Sequence, residues 1–142
     1  MALIRYRQMS HIADAKIRSY GDTMEELFAN ALAAVIRLWI GRQRPKSTET
    51  RQEIFTAPSK ERLLFEFLEY LIGLSDSEGI IPVELEWIEI EDSEHSLRLE
   101  AMIGYAPMRN YRIETGIKAM TYGMMRFGKR AGRYYAQFLL DL

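Results

Sequence analysis

Apolar and basic positions alternate from Ala15 to Tyr20, with Ala15 and Ile17 on one side and Lys16 and Arg18 on the other. That is the period of a half-buried strand. "YGDT" then turns the chain, and Thr23 with Glu26 three positions on forms a capping box at a helix start. Leu27, Phe28, Ala31, Val35, Leu38 and Trp39 recur at helical spacing and predict one apolar face as far as about Ile40. Gly41, Pro45 and the charges of "GRQRPKSTET" interrupt that pattern, which predicts a loop, and "EIFTA" reads as a short strand. Ser59 caps a second predicted helix whose buried face is Leu63, Leu64, Phe67, Leu68, Leu71 and Ile72. "SDSEG" (Ser75 to Gly79) ends it, with Gly79 available for a left-handed turn.

Beyond Pro82 the period becomes two. Val83, Leu85 and Trp87 alternate with Glu84 and Glu86, and Leu97, Leu99, Ala101 and Ile103 alternate with polar or larger neighbours. The two runs flank "EDSEHS" and predict a hairpin. A second hairpin is predicted from Ile117 to Phe127, the turn "GKRAG", and Arg133 to Leu140, with Tyr134, Ala136, Phe138 and Leu140 on one face. The expected fold class is therefore α+β: a two-layer sandwich with a mostly antiparallel sheet of about six strands packed on two long helices. A chain of 142 residues with no internal repeat or low-complexity stretch predicts one domain over 1–142.

Composition narrows the function classes. The formal net charge is −1, so a nucleic-acid contact would have to be a local patch. Without cysteine there is no disulfide framework, thiol nucleophile or Cys-based zinc site, as suits a reducing compartment. "MALIRYRQMSHIAD" lacks an apolar signal core and no apolar run approaches a membrane span, so the expectation is a cytoplasmic protein with no membrane partner. No P-loop, GxGxxG, GxSxG or HExxH is present. Two scattered histidines, His11 and His95, do not make a zinc site, and "SDSEG" lacks the twelve-residue frame of an EF-hand.

The remaining chemistry lies in a few charged positions. Asp14 starts the first strand and Asp141 falls near the end of the last, on the face opposite Leu140. If they meet, together with the backbone oxygens and carboxylate of Leu142, their repulsion calls for a cation, and an all-oxygen set selects Ca²⁺ or Mg²⁺. The plainer reading makes Asp14 a turn residue and Asp141 part of a solvated tail. In "TGIKAMTY" (Thr115 to Tyr122), Lys118 and Tyr122 would share a strand face around Met120; Lys118 is either a snorkelling edge residue or a positive group aimed at a phosphate or carboxylate. Arg126, Lys129, Arg130 and Arg133 gather at the second hairpin turn, where solvation accounts for them and an RNA or acidic partner could also use them.

Four stretches in chain order resemble the archease family. "HIADAKIRSYGDTMEELFANAL" is similar to the family's His-Thr-Ala-Asp opening, strand, glycine turn and Thr-Leu-Glu-Glu-like helix; "FLEYLIGLSDSEGIIP" to its helix running into Leu-Ser-Asp-Thr-Glu-Gly; "IKAMTYG" to Val-Lys-Ala-Val-Thr-Tyr-His; and the final "DL" to Asp-Ile. The resemblance implies a small α+β protein that activates an RtcB-type RNA ligase, promoting its guanylylation and multiple turnover in tRNA splicing or RNA repair. GTP would belong to the partner ligase, and RNA would be met only through it. The resemblance carries the metal ligands onto Asp14, Asp141 and the backbone of Leu142, with a divalent ion, Ca²⁺ or Mg²⁺, as cofactor. It carries a functional lysine onto Lys118. His11, Tyr122 and Asp76 are candidates for surrounding positions, and no catalytic residue is implied. Two departures stand out: Ile12 replaces the motif threonine and Gly123 the motif histidine. Two other functions fit the same residues: a metal-dependent phosphoesterase acting on cyclic-phosphate RNA ends, and a chaperone-like protein-binding module.

Overall fold

The computed structural model of the protein describes residues 3–10 and 14–142. Two α-helices and eight strands follow the order β1 (Tyr6–Ser10), β2 (Asp14–Gly21), α1 (Met24–Ile40), β3 (Glu49–Ala57), α2 (Lys60–Ser77), β4 (Ile80–Ser93), β5 (Ser96–Pro107), β6 (Ala119–Met120), β7 (Arg126–Arg130) and β8 (Arg133–Asp141). The α+β class matches the sequence reading, but the strands among the described residues number eight rather than about six. They form two sheets, not one. The five-stranded sheet runs β1-β2-β8-β6 with β7 also on β8, and the three-stranded sheet runs β3-β5-β4. Every pairing is antiparallel.

Each helix packs against strands of both sheets, which makes the helices the shared layer between them. The apolar stripe of α1 is correspondingly wide: Leu27, Phe28, Ala31, Leu32, Ala34, Val35, Leu38, Trp39 and Ile40 are all buried. Trp39, Tyr105, Phe28, Phe67 and Phe138 are the largest fully buried side chains. Phe67 of α2 joins them, 6.0 Å from Phe28 and edge-on to Phe55 of β3 at 5.6 Å between ring centroids. Burial of side chains this size stabilises by about 1.5–3 kcal/mol each.

The helix starts follow their caps. The Thr23 hydroxyl accepts from the Glu26 N–H at 3.1 Å, while the Glu26 carboxylate accepts from Asp22 N–H, one residue ahead of the cap, at 3.2 Å. Ser59 accepts from Arg62 N–H at 3.2 Å. Gly21 brings β2 against the first turn of α1 so closely that a Cβ there would lie 2.4 Å from the Leu27 nitrogen. Gly79, at φ +69°, takes the left-handed conformation that ends the α2 segment.

Two parts of the reading change. β1 was not foreseen, because "YRQMS" carries no apolar alternation. The predicted strand from Ile117 to Phe127 is interrupted: Ala119 and Met120 face Asp141 and Leu140, pairing resumes only at Arg126 opposite Gln137, and the excursion between turns through Gly123 at φ +91°. The closing turn is tighter than "GKRAG". Arg130 faces Arg133, and Ala131 and Gly132 both have positive φ (52° and 79°), which suits the twist of a two-residue hairpin.

Candidate functional site: two opposed aspartates at a sheet rim

β2 begins at Asp14 and β8 ends at Asp141, and the two are direct cross-strand partners. Their neighbours Ala15 and Leu140 are also opposite each other and are buried in the core. Period-two alternation therefore puts both aspartates on the outer face of the five-stranded sheet, at its rim. Side chains directly opposite in an antiparallel pair have Cβ atoms about 4.5–5.5 Å apart, so the two carboxylates share one patch of space. Asp141 is exposed and Asp14 half-buried. On the other side of Asp141 lies β6: Ala119 is its register partner, and the Lys118 N–H donates to the Asp141 carbonyl at 2.8 Å. The short β6 is fastened from behind by α2, where the half-buried Glu69 carboxylate accepts from Met120 N–H at 3.3 Å. Leu142 follows Asp141 and packs its side chain on the core.

Asp14, Asp141, Leu142 and the backbone of Lys118 are thus gathered at one rim. Tyr122 is not on a strand with Lys118, since β6 ends at Met120. It stands in the following turn, 66% exposed, with its hydroxyl accepting from Arg62 at 3.2 Å and its ring edge-on to Phe65 at 5.0 Å. Asp76 lies exposed in the last turn of α2, two residues before Glu78, whose carboxylate pairs with Arg51 of the three-stranded sheet at 2.8 Å. His11 and Ile12 lie outside the described residues. Gly123 belongs to the excursion after β6.

The donor set of the rim is all oxygen, two carboxylates with backbone oxygens beside them. That suits a hard cation rather than zinc or copper. Among the described residues, no group of three or more His, Cys, Asp or Glu is placed to hold a metal ion. The pair would therefore supply two ligands, and the rest of the shell would come from backbone and water. Two clefts flank the C-terminal end of α1 and share Tyr6, Arg37, Gly41, Arg42 and Gln43; neither includes Asp14, Lys118 or Asp141. Sequence reasoning missed Glu69, one acid among several on α2, which only the position of β6 singles out.

The protein is an α+β domain with two helices shared between antiparallel sheets and two opposed aspartates at one rim. The model of the archease protein family matches residues 6–142, and the chain belongs to that family. The archease of Methanosarcina mazei is 32% identical over 141 residues, covering 97% of this chain and 96% of that protein. The archease of Thermococcus gammatolerans is 31% identical over 144 residues, covering 97% and 99%. The solution structure of Methanobacterium thermoautotrophicum protein 1598 has a TM-score of 0.82 at 25% identity, covering 97% of this chain and 99% of that one. The crystal structure of an archease, possible chaperone, from Thermotoga maritima shares the fold, with a TM-score of 0.61 at 20% identity and full coverage of both chains. Among the described residues, no helix is long and apolar enough to cross a membrane.

Proposed function

We propose that this protein is a non-enzymatic activator of an RtcB-type RNA ligase, promoting the ligase's guanylylation and repeated turnover. The observation that carries the reading is the opposition of Asp14 and Asp141 at an exposed rim, in a chain that belongs to the archease family. In this reading the rim enters the ligase's nucleotide site. Asp14, Asp141 and the backbone of Leu142 hold a divalent cation, Ca²⁺ or Mg²⁺, which would neutralise phosphate charge there. Lys118, exposed beside Asp141, supplies a further positive group for a phosphate oxygen. GTP and the nucleophilic histidine belong to the ligase, and RNA is reached through it in the cytoplasm.

The test is a ligation assay with the cognate ligase under multiple-turnover conditions, followed by guanylylation of the ligase. The protein should raise both; Asp14→Asn should abolish the gain, and Lys118→Met, which keeps the apolar stem, should reduce it at least tenfold. Unchanged turnover on adding the protein would refute the reading. A second reading takes support from the Thermotoga relative's description as a possible chaperone: a protein-binding module for which the aspartates are incidental. It predicts that Asp14→Asn leaves partner binding and activation intact. Hydrolysis of cyclic-phosphate RNA by the protein alone with Mg²⁺ would instead make it a phosphoesterase.

A further inference from the structure

The outer face of the five-stranded sheet carries a second arrangement, away from the aspartate rim. Arg7 of β1 is directly opposite Arg18 of β2, Arg18 is opposite Gln137 of β8, and Gln137 is opposite Arg126 of β7. With strands about 4.8 Å apart, three guanidinium-bearing residues stand in one line across four strands, spanning roughly 14 Å. Lys16 is the next residue of β2 on the same face. On the other side of the line Tyr20 and Tyr135 are opposite each other, and beyond them Arg130 faces Arg133.

Like charges placed directly opposite in a sheet are destabilising, so this line needs a reason. A sheet tuned for stability alone would set a carboxylate between Arg18 and Arg126. The residue there is Gln137, whose amide oxygen accepts from Arg18 at 2.7 Å and leaves the positive charge uncancelled. Among the described residues, Arg7, Lys16, Arg18, Arg126 and Arg130 form no ion pair with a carboxylate. Arg133 is the exception, tied to Asp22 at 3.2 Å. The Tyr135 ring lies over the neighbouring strand. A Cβ on Gly128 would come within 2.7 Å of the Tyr135 ring, so that ring occupies the space a side chain there would take, and the Arg18 guanidinium stands 5.5 Å from its centroid.

We infer that this face binds single-stranded nucleic acid directly, with backbone phosphates along Arg7, Arg18 and Arg126 and a base packed against the Arg18–Tyr135 cation–π pair. Charge complementarity selects a polyanion. The aromatic row selects a nucleic acid over an acidic peptide, because bases stack on aromatic rings whatever the sequence and carboxylates do not. A lipid surface would require apolar side chains among the basic ones; the exposed large ones near this face, Leu3 and Ile4 ahead of β1 and Met124 ahead of β7, flank the line, and the line itself, Arg7, Arg18, Gln137 and Arg126, carries none. The inference goes beyond the proposed function, in which RNA is met only through the ligase.

The test is fluorescence anisotropy of a labelled twelve-nucleotide oligouridylate with this protein alone, no ligase present. Three phosphate contacts to a single strand should weaken binding about twenty-fold between 50 and 200 mM salt. The triple variant R7Q/R18Q/R126Q should bind at least tenfold more weakly at 50 mM and lose most of the salt slope. The charge-matched control R44Q/K46Q/R109Q, changed outside this sheet, should bind like wild type. If the triple variant is misfolded by circular dichroism, the exposed single variants R7Q and R126Q decide, each removing about 0.7 from the logarithmic salt slope. No wild-type binding at 50 mM, equal losses in both triple variants, or equally tight binding of polyglutamate or phosphatidylserine vesicles would overturn the inference. R44Q/K46Q/R109Q and wild type binding RNA alike while the ligase is not activated, or the reverse, would let this inference and the ligase reading fail separately.

Discussion

Asp14 and Asp141 are direct cross-strand partners, the position in which like charges destabilise a sheet. Asp141→Asn should therefore raise stability in EDTA by roughly 0.2–1 kcal/mol. On the proposed function, in which the pair holds a divalent cation, wild type should overtake it in calcium, gaining about 2.7 kcal/mol at a hundredfold excess over Kd while the variant gains far less. Thermal melts with and without CaCl₂ check both signs. Tyr105 is a second residue whose role is chemical as well as steric. Its buried hydroxyl donates to Glu53 on the neighbouring strand, and burial first, then the Glu53 carboxylate, pushes the phenol above its ordinary value of 10.0. A raised phenol keeps its stabilising contribution below about pH 10 and loses it as pH rises above that value, because only the unfolded chain then ionises freely. Tyr105→Phe should cost about 1–3 kcal/mol at pH 7 by leaving Glu53 without its donor, and should flatten the alkaline limb of a pH–stability curve. Alternation puts Asp14 at the entry of one strand and Asp141 on the outer face of another, but that the two meet was implied only by the family resemblance, since nothing local says that these two strands pair. The Tyr105–Glu53 bond and the Arg7–Arg18–Arg126 line were not legible in the sequence, since each depends on which strands pair and in what register.

Among the elements, those with local punctuation were the readable ones. Thr23, Ser59 and Gly79 mark helix boundaries by side-chain or backbone chemistry within a few residues, and the structure uses all three. Thr23→Ala should cost about 1 kcal/mol, since the Glu26 N–H loses its acceptor. Urea denaturation should show that loss in the midpoint with an unchanged slope. β1 and the β6–β7 interruption had no such marks. β1 is a polar edge strand that borrows its order from β2, and the break after Met120 depends on Glu69 of α2 reaching a backbone N–H. The division into two sheets escaped a reading based on periodicity because strands of either sheet alternate alike. What separates them is that both helices have apolar surface facing two ways, visible in hindsight in the width of the α1 stripe.

Across the whole molecule, a net charge of −1 conceals a strong segregation. Glu84, Glu86, Glu89, Glu91, Asp92 and Glu94 are exposed along β4 and its turn, while the basic line occupies the outer face of the other sheet. The protein should be retained by a cation exchanger at pH 7 and low salt despite its negative net charge, and R7Q/R18Q/R126Q should pass through unretained. The chain order of the five-stranded sheet has a consequence for biosynthesis. β2 is made early, yet its partner β8 comes after nearly everything else, so one side of β2 stays open while both helices and the three-stranded sheet emerge. At translation rates of about 5–20 residues per second, that interval is on the order of ten seconds. Lys16 and Arg18, whose charges discourage a waiting edge from pairing with another chain, guard it meanwhile. The opposed aspartates are brought together only when β8 docks, so an intermediate that lacks β8 also lacks the rim on which the proposed function rests.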